Sequence, residues 1–343
     1  MNLAAEANRF FDQGIEEGSF KVDRYQVEKA RAALVAYFLH YGDESSIYEV
    51  VGVEVPYSLP LPEVDENHMG FIDYILRRKH DKKIVVADLK TATNPGNDYW
   101  QELYTNEQLT EYTLALRQSG YEEITIRWDV IVKPSINTKK LTKDGISELE
   151  SGHYCGLPCS DTTVAEDKQE SPVQYGVRCL QWYLENTDLK FFRRTYTRNE
   201  QELIDHIDNV QSRVERNKSW ESDFKGFNIL PVKHLEKCKR YGNMCEFHAI
   251  CSGADPEKKQ YRPKEAPKDR VKLDGFSVSK LRCSDNCPRE YHYKYIEKIE
   301  PIIQPPREAL DFGSLVHSGF EYIMRKQMEG VQDLVVLPTE RGK

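Results

Sequence analysis

Short apolar runs separated by charged turns dominate the first 140 residues. Residues 1–45 place an apolar stripe among alanines, glutamates and long polar side chains, and this pattern predicts helix. Residues 47–59 alternate between apolar and polar positions and predict a strand. Two further runs, at 70–76 and 84–87, are separated by the charged turn at 79–83, so the pattern predicts a β-hairpin.

After this hairpin the spacing of the apolar residues changes twice along the chain. Residues 107–118 have helical spacing, whereas residues 124–133 alternate as a strand. The order strand, strand, strand, helix, strand is typical of an α/β domain with a mixed sheet.

The second half of the chain has fewer regular patterns. A helix is predicted from residue 200 to about 220, and a last helix passes through His317. We therefore divide the chain into a core at 1–137, an insertion or mobile loop at 138–180, a helical segment with clustered cysteines at 181–252, a linker at 253–275 and a last block at 276–343.

Composition narrows the class of protein. Hydrophobic residues make up 39% of the chain, charged residues 30%, and the net charge is −8. No apolar run approaches the ~20 residues that span a bilayer, and the first residues lack the pattern of a signal peptide. We therefore expect a cytoplasmic protein without a membrane partner. Eight cysteines in such a chain favour metal ligation over disulfides.

The hairpin carries the first candidate site. Asp73 and Asp88 would meet at one end of it, and Lys90 would point to the same side as Asp88 because side chains alternate along a strand. Two carboxylates and an ammonium in that position can hold a divalent metal ion and orient a water molecule. The alternative is a surface hairpin whose charges are solvated, since Asp-x-Lys is common by chance.

The ordered motifs resemble those of a known nuclease group. Gly-x-x-Asp at 70–73, Asp-x-Lys at 88–90 and Gln-x-x-x-Tyr on the following helix resemble the PD-(D/E)xK nuclease superfamily, in particular its RecB-like branch. The resemblance implies a restriction-endonuclease-like αβββαβ core with flanking helices. It assigns the catalytic roles to Asp73, Asp88, Lys90, Gln108 and Tyr112.

The same resemblance implies a metal ion. Mg²⁺ or Mn²⁺ would be bound by Asp73, Asp88 and the backbone carbonyl of Leu89, because hard oxygen ligands suit these ions. Such families often have a glutamate on the preceding strand, where this chain has Glu54.

A cysteine cluster is the second candidate site. Cys238, Cys245 and Cys251 follow one another with six and five intervening residues, and thiolates suit either iron–sulfur clusters or zinc. A zinc site that adds His248 is the alternative. The segment resembles the iron–sulfur segment of RecB-like nucleases, including the AddB-type and CRISPR-adaptation nucleases. That resemblance implies a 4Fe–4S cluster with a fourth cysteine from a distant part of the chain.

The last block resembles the segment that normally begins a RecB-like nuclease. It implies that Cys287 is the fourth cluster cysteine, with Cys283 as the spare candidate, and that His317 binds the catalytic metal. Here the segment follows the core, so we expect a circular permutation in which the linker at 253–275 joins the ordinary ends. The alternative is a second, truncated nuclease copy.

The function that this resemblance implies is metal-dependent cleavage of DNA. We expect an exonuclease on single-stranded or end-processed DNA, in recombination, repair or phage DNA processing in a prokaryote or a phage-infected host. The chain has no Gly-x4-Gly-Lys-Ser/Thr loop, so a helicase or recombinase partner would be a separate chain. The alternatives are a non-catalytic iron–sulfur DNA-binding module and a nuclease acting on RNA.

Overall fold

A computed structural model describes residues 1–61, 63–240, 243–264, 275–303 and 308–339. Within these ranges the helices are α1 (Leu3–Glu16), α2 (Arg24–Tyr41), α3 (Asn97–Thr105), α4 (Glu107–Gln118), α5 (Lys143–Glu150), α6 (Pro172–Leu184), α7 (Glu200–Phe227), α8 (His248–Ser252), α9 (Val278–Asn286), α10 (Pro288–Tyr291) and α11 (Glu308–Met328). The strands are β1 (Tyr48–Leu61), β2 (Glu66–Arg78), β3 (Ile84–Ala92), β4 (Ile124–Val132), β5 (His153–Tyr154), β6 (Leu157–Pro158), β7 (Phe191–Tyr196), β8 (Lys239–Arg240), β9 (Asn243–Met244), β10 (Tyr261–Pro263) and β11 (Ile299–Pro301).

The main sheet is mixed and has the strand order β1-β2-β3-β4-β7. Its first three strands are antiparallel, β3 and β4 are parallel, and β7 adds antiparallel to β4. The predicted hairpin of β2 and β3 is confirmed, and so is the mixed α/β fold, which is consistent with a restriction-endonuclease-like core. Strand β7 was not predicted.

The sheet is buried on both faces. Val85 and Leu89 of β3 pack with α1, α2 and α11, whereas Ile84 and Val86 pack with α3 and α4 on the other face. A strand with two buried faces needs a nearly continuous apolar run, which is the pattern that residues 84–87 show.

Strand β1 is irregular where it passes the candidate site. Glu54 has a φ of +50°, a region that residues other than glycine rarely adopt. The neighbouring pairs, Val53 with Tyr74 and Val55 with Ile72, place Glu54 opposite Asp73 on β2. A local distortion of this kind changes where a side chain points.

Helix α11 of the last block lies in the same core as the first two helices. Its residues Phe312, Val316, Phe320 and Ile323 are buried in one cluster with α1 and α2. Phe320 stacks on Phe38 of α2 with ring centroids 5.6 Å apart. The two ends of the described chain therefore share one hydrophobic core.

The segment at 138–180, which the sequence predicts as an insertion or mobile loop, is a folded insertion. This insertion between β4 and β7 contains α5, the β5–β6 hairpin and most of α6. Its centre is a buried ionic contact: the Arg178 Nε and the Tyr154 hydroxyl donate to Glu170 Oε1 at 2.6 and 2.5 Å. Because these buried side chains are polar and compensate one another, the sequence of the insertion lacks the regular spacing of apolar residues that predicts helices and strands.

The predicted linker at 253–275 is only partly described. Residues 265–274 lie outside the described ranges, whereas residues 261–263 form β10 and pair with β11. Among the described helices, none has the length and apolar character needed to cross a membrane.

Candidate active site

Two buried carboxylates mark the point where β2 and β3 separate. The last paired residues of the hairpin are Tyr74 and Ala87, so Asp73 and Asp88 come next on their strands. Asp73 is 9% exposed and Asp88 is 1% exposed. Burial and the negative charge of Asp88 raise the pKa of Asp73 to about 8. Because the negative charges of two buried carboxylates repel each other, this position favours the binding of a proton or another cation.

Lys90 supplies the nearest positive charge. Its Nζ lies 2.9 Å from Asp88 Oδ2, and its side chain is one-third exposed. Burial alone would lower the pKa of Lys90, but Asp88 and Asp73 outweigh burial and raise the pKa. Lys90 is therefore a cation at neutral pH in the metal-free site.

Gln108 and Tyr112 lie on the face of α4 that looks into the site. The Lys90 ammonium donates to Gln108 Oε1 at 3.4 Å, and Gln108 Nε2 donates to the Tyr112 hydroxyl at 2.6 Å. The Tyr112 hydroxyl then donates to Asp73 Oδ1 at 3.0 Å. Burial raises the pKa of Tyr112, which keeps the phenol protonated as a donor. These three hydrogen bonds connect Lys90 with Asp73 through Gln108 and Tyr112.

His317 reaches the same site from α11. Its Nε2 lies 3.2 Å from Glu54 Oε1, and one ligand atom from each of Glu54, His317 and Glu321 lies within 4.8 Å of the others. Burial lowers the pKa of His317, but Glu54 and Asp73 outweigh burial and raise it. The charge of His317 in turn lowers the pKa of Asp73, and Glu54 lies opposite Asp73 where β1 pairs with β2. Neither Asp73 nor Asp88 belongs to the group of three ligand atoms found among the described residues.

Sequence reasoning did not find Glu321. The signal that could have found it is its position four residues after His317 on one helix, which places both side chains on the same face.

Leu89 is predicted to bind the metal ion through its backbone carbonyl. Its side chain is buried in the core.

The residues present fit a divalent metal ion. Both carboxylate oxygens of Asp88 are buried and accept no hydrogen bond from the described residues, apart from the ion pair with Lys90. Carboxylate oxygens with one imidazole form a ligand set that suits Mg²⁺ or Mn²⁺. An ion would also relieve the repulsion between Asp73 and Asp88.

A model of the PD-(D/E)XK nuclease superfamily matches residues 2–252 and 275–340. The chain belongs to the PD-(D/E)XK nuclease superfamily. The match includes both the hairpin with Asp73 and Asp88 and the helix with His317. Searches of curated proteins and of solved structures gave no significant match.

The second candidate site, the cysteine cluster, surrounds a cavity of about 120 Å³. The cavity is lined by Cys238, Cys245, Cys251 and Cys287, together with His248. Burial raises the pKa of the Cys251 thiol. Residues 241 and 242, between Cys238 and Cys245, lie outside the described ranges.

The other cysteines lie elsewhere. Cys283 packs with Leu281 and Tyr291 in a separate hydrophobic cluster. Cys155 and Cys159 belong to the core of the insertion, and Cys179 packs against α2. The structure therefore brings together the four cysteines that the sequence singled out and keeps Cys283 away from their cavity.

Proposed function

We propose that this protein is a metal-dependent deoxyribonuclease that hydrolyses phosphodiester bonds at the Asp73–Asp88 site. The observation that carries the proposal is the ion pair of Lys90 with the buried Asp88, connected through Gln108 and Tyr112 to Asp73. Membership of a nuclease superfamily supports the same reaction class.

Each residue has a distinct role in this proposal. Asp73, Asp88 and the Leu89 carbonyl would hold Mg²⁺ or Mn²⁺, with His317 as a further ligand. A bound ion supplies charge neutralisation at the phosphate and a more acidic water.

The other side chains prepare the site. Lys90 orients the attacking water. Gln108 and Tyr112 hold Lys90 and Asp73 in place. Glu54 holds His317, and both Glu54 and Glu321 are candidate ligands themselves.

We further propose that the four cysteines of the second cavity hold a 4Fe–4S cluster. The cavity brings Cys238, Cys245, Cys251 and Cys287 together, and thiolates are soft ligands that suit an iron–sulfur cluster. Zinc bound by the same cavity is the alternative, because Zn²⁺ also takes thiolate and imidazole ligands.

We also propose that residues 276–339 complete the same domain, as a circular permutation implies. The packing of α11 on α1 and α2 supports this, and so does the presence of Cys287 beside the other three cysteines. If residues 276–339 instead began a second, truncated nuclease copy, they would need neither the packing of α11 on α1 and α2 nor the position of Cys287 beside the other three cysteines. The linker between the blocks is then short, which costs little entropy.

The proposed substrate is DNA with single-stranded character or free ends, cleaved as by an exonuclease in recombination, repair or phage DNA processing. A helicase or recombinase would act as a separate chain in the same cytoplasm. These assignments rest on the resemblance to RecB-like nucleases.

The test uses purified full-length protein and end-labelled single-stranded DNA, with Mg²⁺ or Mn²⁺. We expect cleavage that is abolished by EDTA, by Asp88→Asn and by Lys90→Ala. DNA affinity in Lys90→Ala should stay within a few-fold of wild type, because phosphate binding is spread over many groups. Asp208→Asn, an exposed acid on α7, is the matched control and should retain activity.

Full activity in either site variant would contradict the site assignment. Binding of DNA without cleavage by the wild-type protein under all conditions would favour the non-catalytic module. Cleavage of RNA in preference to DNA would correct the substrate.

A further inference from the structure

An arginine of the last block reaches the edge of the candidate active site. Arg282 lies on α9, and its Nε donates to Glu107 Oε2 at 3.3 Å, at the first residue of α4. The next residue of α4 is Gln108, whose Oε1 accepts from the Lys90 ammonium at 3.4 Å. Arg282 is therefore joined to Lys90 through two neighbouring side chains of one helix.

The helix that carries Arg282 is fixed by its contacts with α7. Ser284 of α9 is fully buried, and its Oγ accepts from Asn217 Nδ2 at 3.0 Å. Asp285 of α9 forms an ion pair with Arg213 of α7. A side chain on a packed helix is held close to one position, as a substrate contact requires.

Cations outnumber anions in the ion pairs around Arg282. Glu107 and Asp285 are the two acids of this group, and both are shared between arginines. The arginines that pair with them are Arg213, Arg216 and Arg282. The group therefore carries a positive charge in a chain whose net charge is −8.

Arg282 remains accessible although it is paired with Glu107. Half of its side chain, 50%, is exposed. Burial and the charge of Arg282 both lower the pKa of Lys90, although Asp88 and Asp73 raise that pKa overall. An anion bound beside both cations would reduce their repulsion. The anion that the proposed reaction brings to this place is a phosphodiester.

We propose that Arg282 binds a backbone phosphate of the substrate DNA, close to the bond that is cleaved. This proposal rests on the proposed nuclease function. A guanidinium keeps its charge at neutral pH, and besides the Nε–H that meets Glu107 it carries N–H groups on its two terminal nitrogens that match the oxygens of a phosphate. The contact fixes the register of the strand at Lys90 without reading its sequence.

The first test measures binding of single-stranded DNA at increasing salt, in an Asp88→Asn background that removes cleavage. For single strands the slope of log K against log salt changes by about 0.7 for each phosphate contact. We expect added Arg282→Gln to reduce the slope by about 0.7, and Arg282→Lys to preserve it because the charge remains. Arg216→Gln is the matched control: Arg216 is similarly exposed and paired with Asp285, and its loss should leave the slope unchanged.

Glu107→Gln separates a substrate contact from a structural ion pair. This change removes the acid that Arg282 meets and keeps the guanidinium, so DNA affinity should equal or exceed that of the background protein. Melting temperatures measured in parallel report what the ion pair contributes to folding. If the pair served folding alone, Arg282→Gln and Glu107→Gln would lower the melting temperature alike and leave the salt slope unchanged.

The last test locates the phosphate, with cleavage-competent protein. One phosphate at a time of single-stranded DNA is replaced by a neutral methylphosphonate. We expect one position near the scissile bond where wild-type cleavage falls about tenfold or more, whereas cleavage by Arg282→Gln, already slower, falls no further there. Positions whose phosphates meet the metal site should stay sensitive in both proteins.

An unchanged salt slope in Arg282→Gln would overturn the proposal and leave Arg282 as a structural partner of Glu107. An equal change of slope in Arg216→Gln, or a wild-type pattern of methylphosphonate sensitivity in Arg282→Gln, would overturn it as well. Failure of the wild-type protein to cleave DNA would instead overturn the proposed function, while the salt slope would still report on Arg282.

Discussion

Asp73 is the residue on which the candidate site depends. It lies between two other acids, Glu54 on β1 and Asp88 on β3, and it accepts a hydrogen bond from Tyr112. Buried like charges are unfavourable unless a proton or a metal ion compensates them. The same arrangement of negative charges therefore provides affinity for a cation.

A pH dependence of stability follows from Asp73. Its pKa is raised to about 8, above the value in an unfolded chain, so its stabilising contribution is full in acid and is lost as the pH rises through about 8. We expect the metal-free protein to melt at lower temperature as the pH rises from about 5 to about 9. Added Mg²⁺ should stabilise the protein most at the alkaline end.

Asp73→Asn is the matched variant for this measurement, because it removes the titrating group and keeps the size of the side chain. Its melting temperature should vary less with pH and respond less to Mg²⁺. A variant with the pH profile of the wild-type protein would show that Asp73 does not titrate in this range.

At the scale of elements, α4 joins the active site to the rest of the molecule. Its inner face carries Gln108 and Tyr112, whereas Glu111 on the adjacent face meets His68 of β2 at 3.1 Å and His206 of α7 at 3.4 Å. Burial alone would raise the pKa of Glu111, but the two histidines outweigh burial and lower it to about 2. This contact fixes the rotation of α4 about its axis and so the position of Tyr112.

Tyr112→Phe tests the hydrogen-bond chain on this helix. The ring still fills its buried position, but the hydroxyl between Gln108 and Asp73 is lost. A buried hydrogen bond to a charged group contributes about 1.5–3 kcal/mol, so we expect the melting temperature to fall and cleavage to fall about tenfold to a hundredfold. Tyr196→Phe, which loses a hydroxyl bonded to Glu202 away from the site, is the control. Equal activity in the two variants would contradict the role of Tyr112.

The cysteine-bearing segments give a second prediction at this scale. Cys287 lines the cavity with the other three cysteines, whereas Cys283 packs in a hydrophobic cluster four residues earlier. In anaerobically purified protein we expect Cys287→Ser to lose iron, visible absorption and thermal stability together, because metal binding contributes to folding in such sites. Cys283→Ser should keep its iron. One stoichiometric zinc and no colour in the wild-type protein would contradict the iron–sulfur proposal.

At the scale of the whole molecule, the first and last helices depend on each other. Each large apolar side chain of α11 that is buried against α1 and α2 contributes about 1.5–3 kcal/mol. Several of them together are comparable with the whole stability of a domain, about 5–15 kcal/mol.

Truncation after residue 270 tests this dependence. We expect the shortened chain to lose cooperative unfolding, measured by circular dichroism on heating, and to lose cleavage because His317 is absent. Adding residues 275–343 as a separate peptide should restore part of both. A stable, active fragment without the peptide would show that the last block is an appendage.

The sequence by itself determined most of the central sheet and the hairpin site. Strands β1 to β4 and helix α4 each have a clear period of two or of about 3.6, and a hairpin with a short turn leaves little choice of register. Asp73, Asp88 and Lys90 could therefore be placed together from local pattern alone. The spacing of Gln108 and Tyr112 placed them on one face of a helix, and only the resemblance to the nuclease motifs assigned that face to the site.

Only the tertiary structure decided the contacts between distant segments. The packing of α11 on α2 brings His317 to within 3.2 Å of Glu54, 263 residues away in the chain, and no local period records such a contact. The same holds for Glu321, whose role depends on the face that α11 turns to the sheet. The secondary structure inside the insertion was not predicted for a related reason. Glu170 and Arg178 compensate each other only in the folded chain, so their burial leaves no apolar pattern in the sequence.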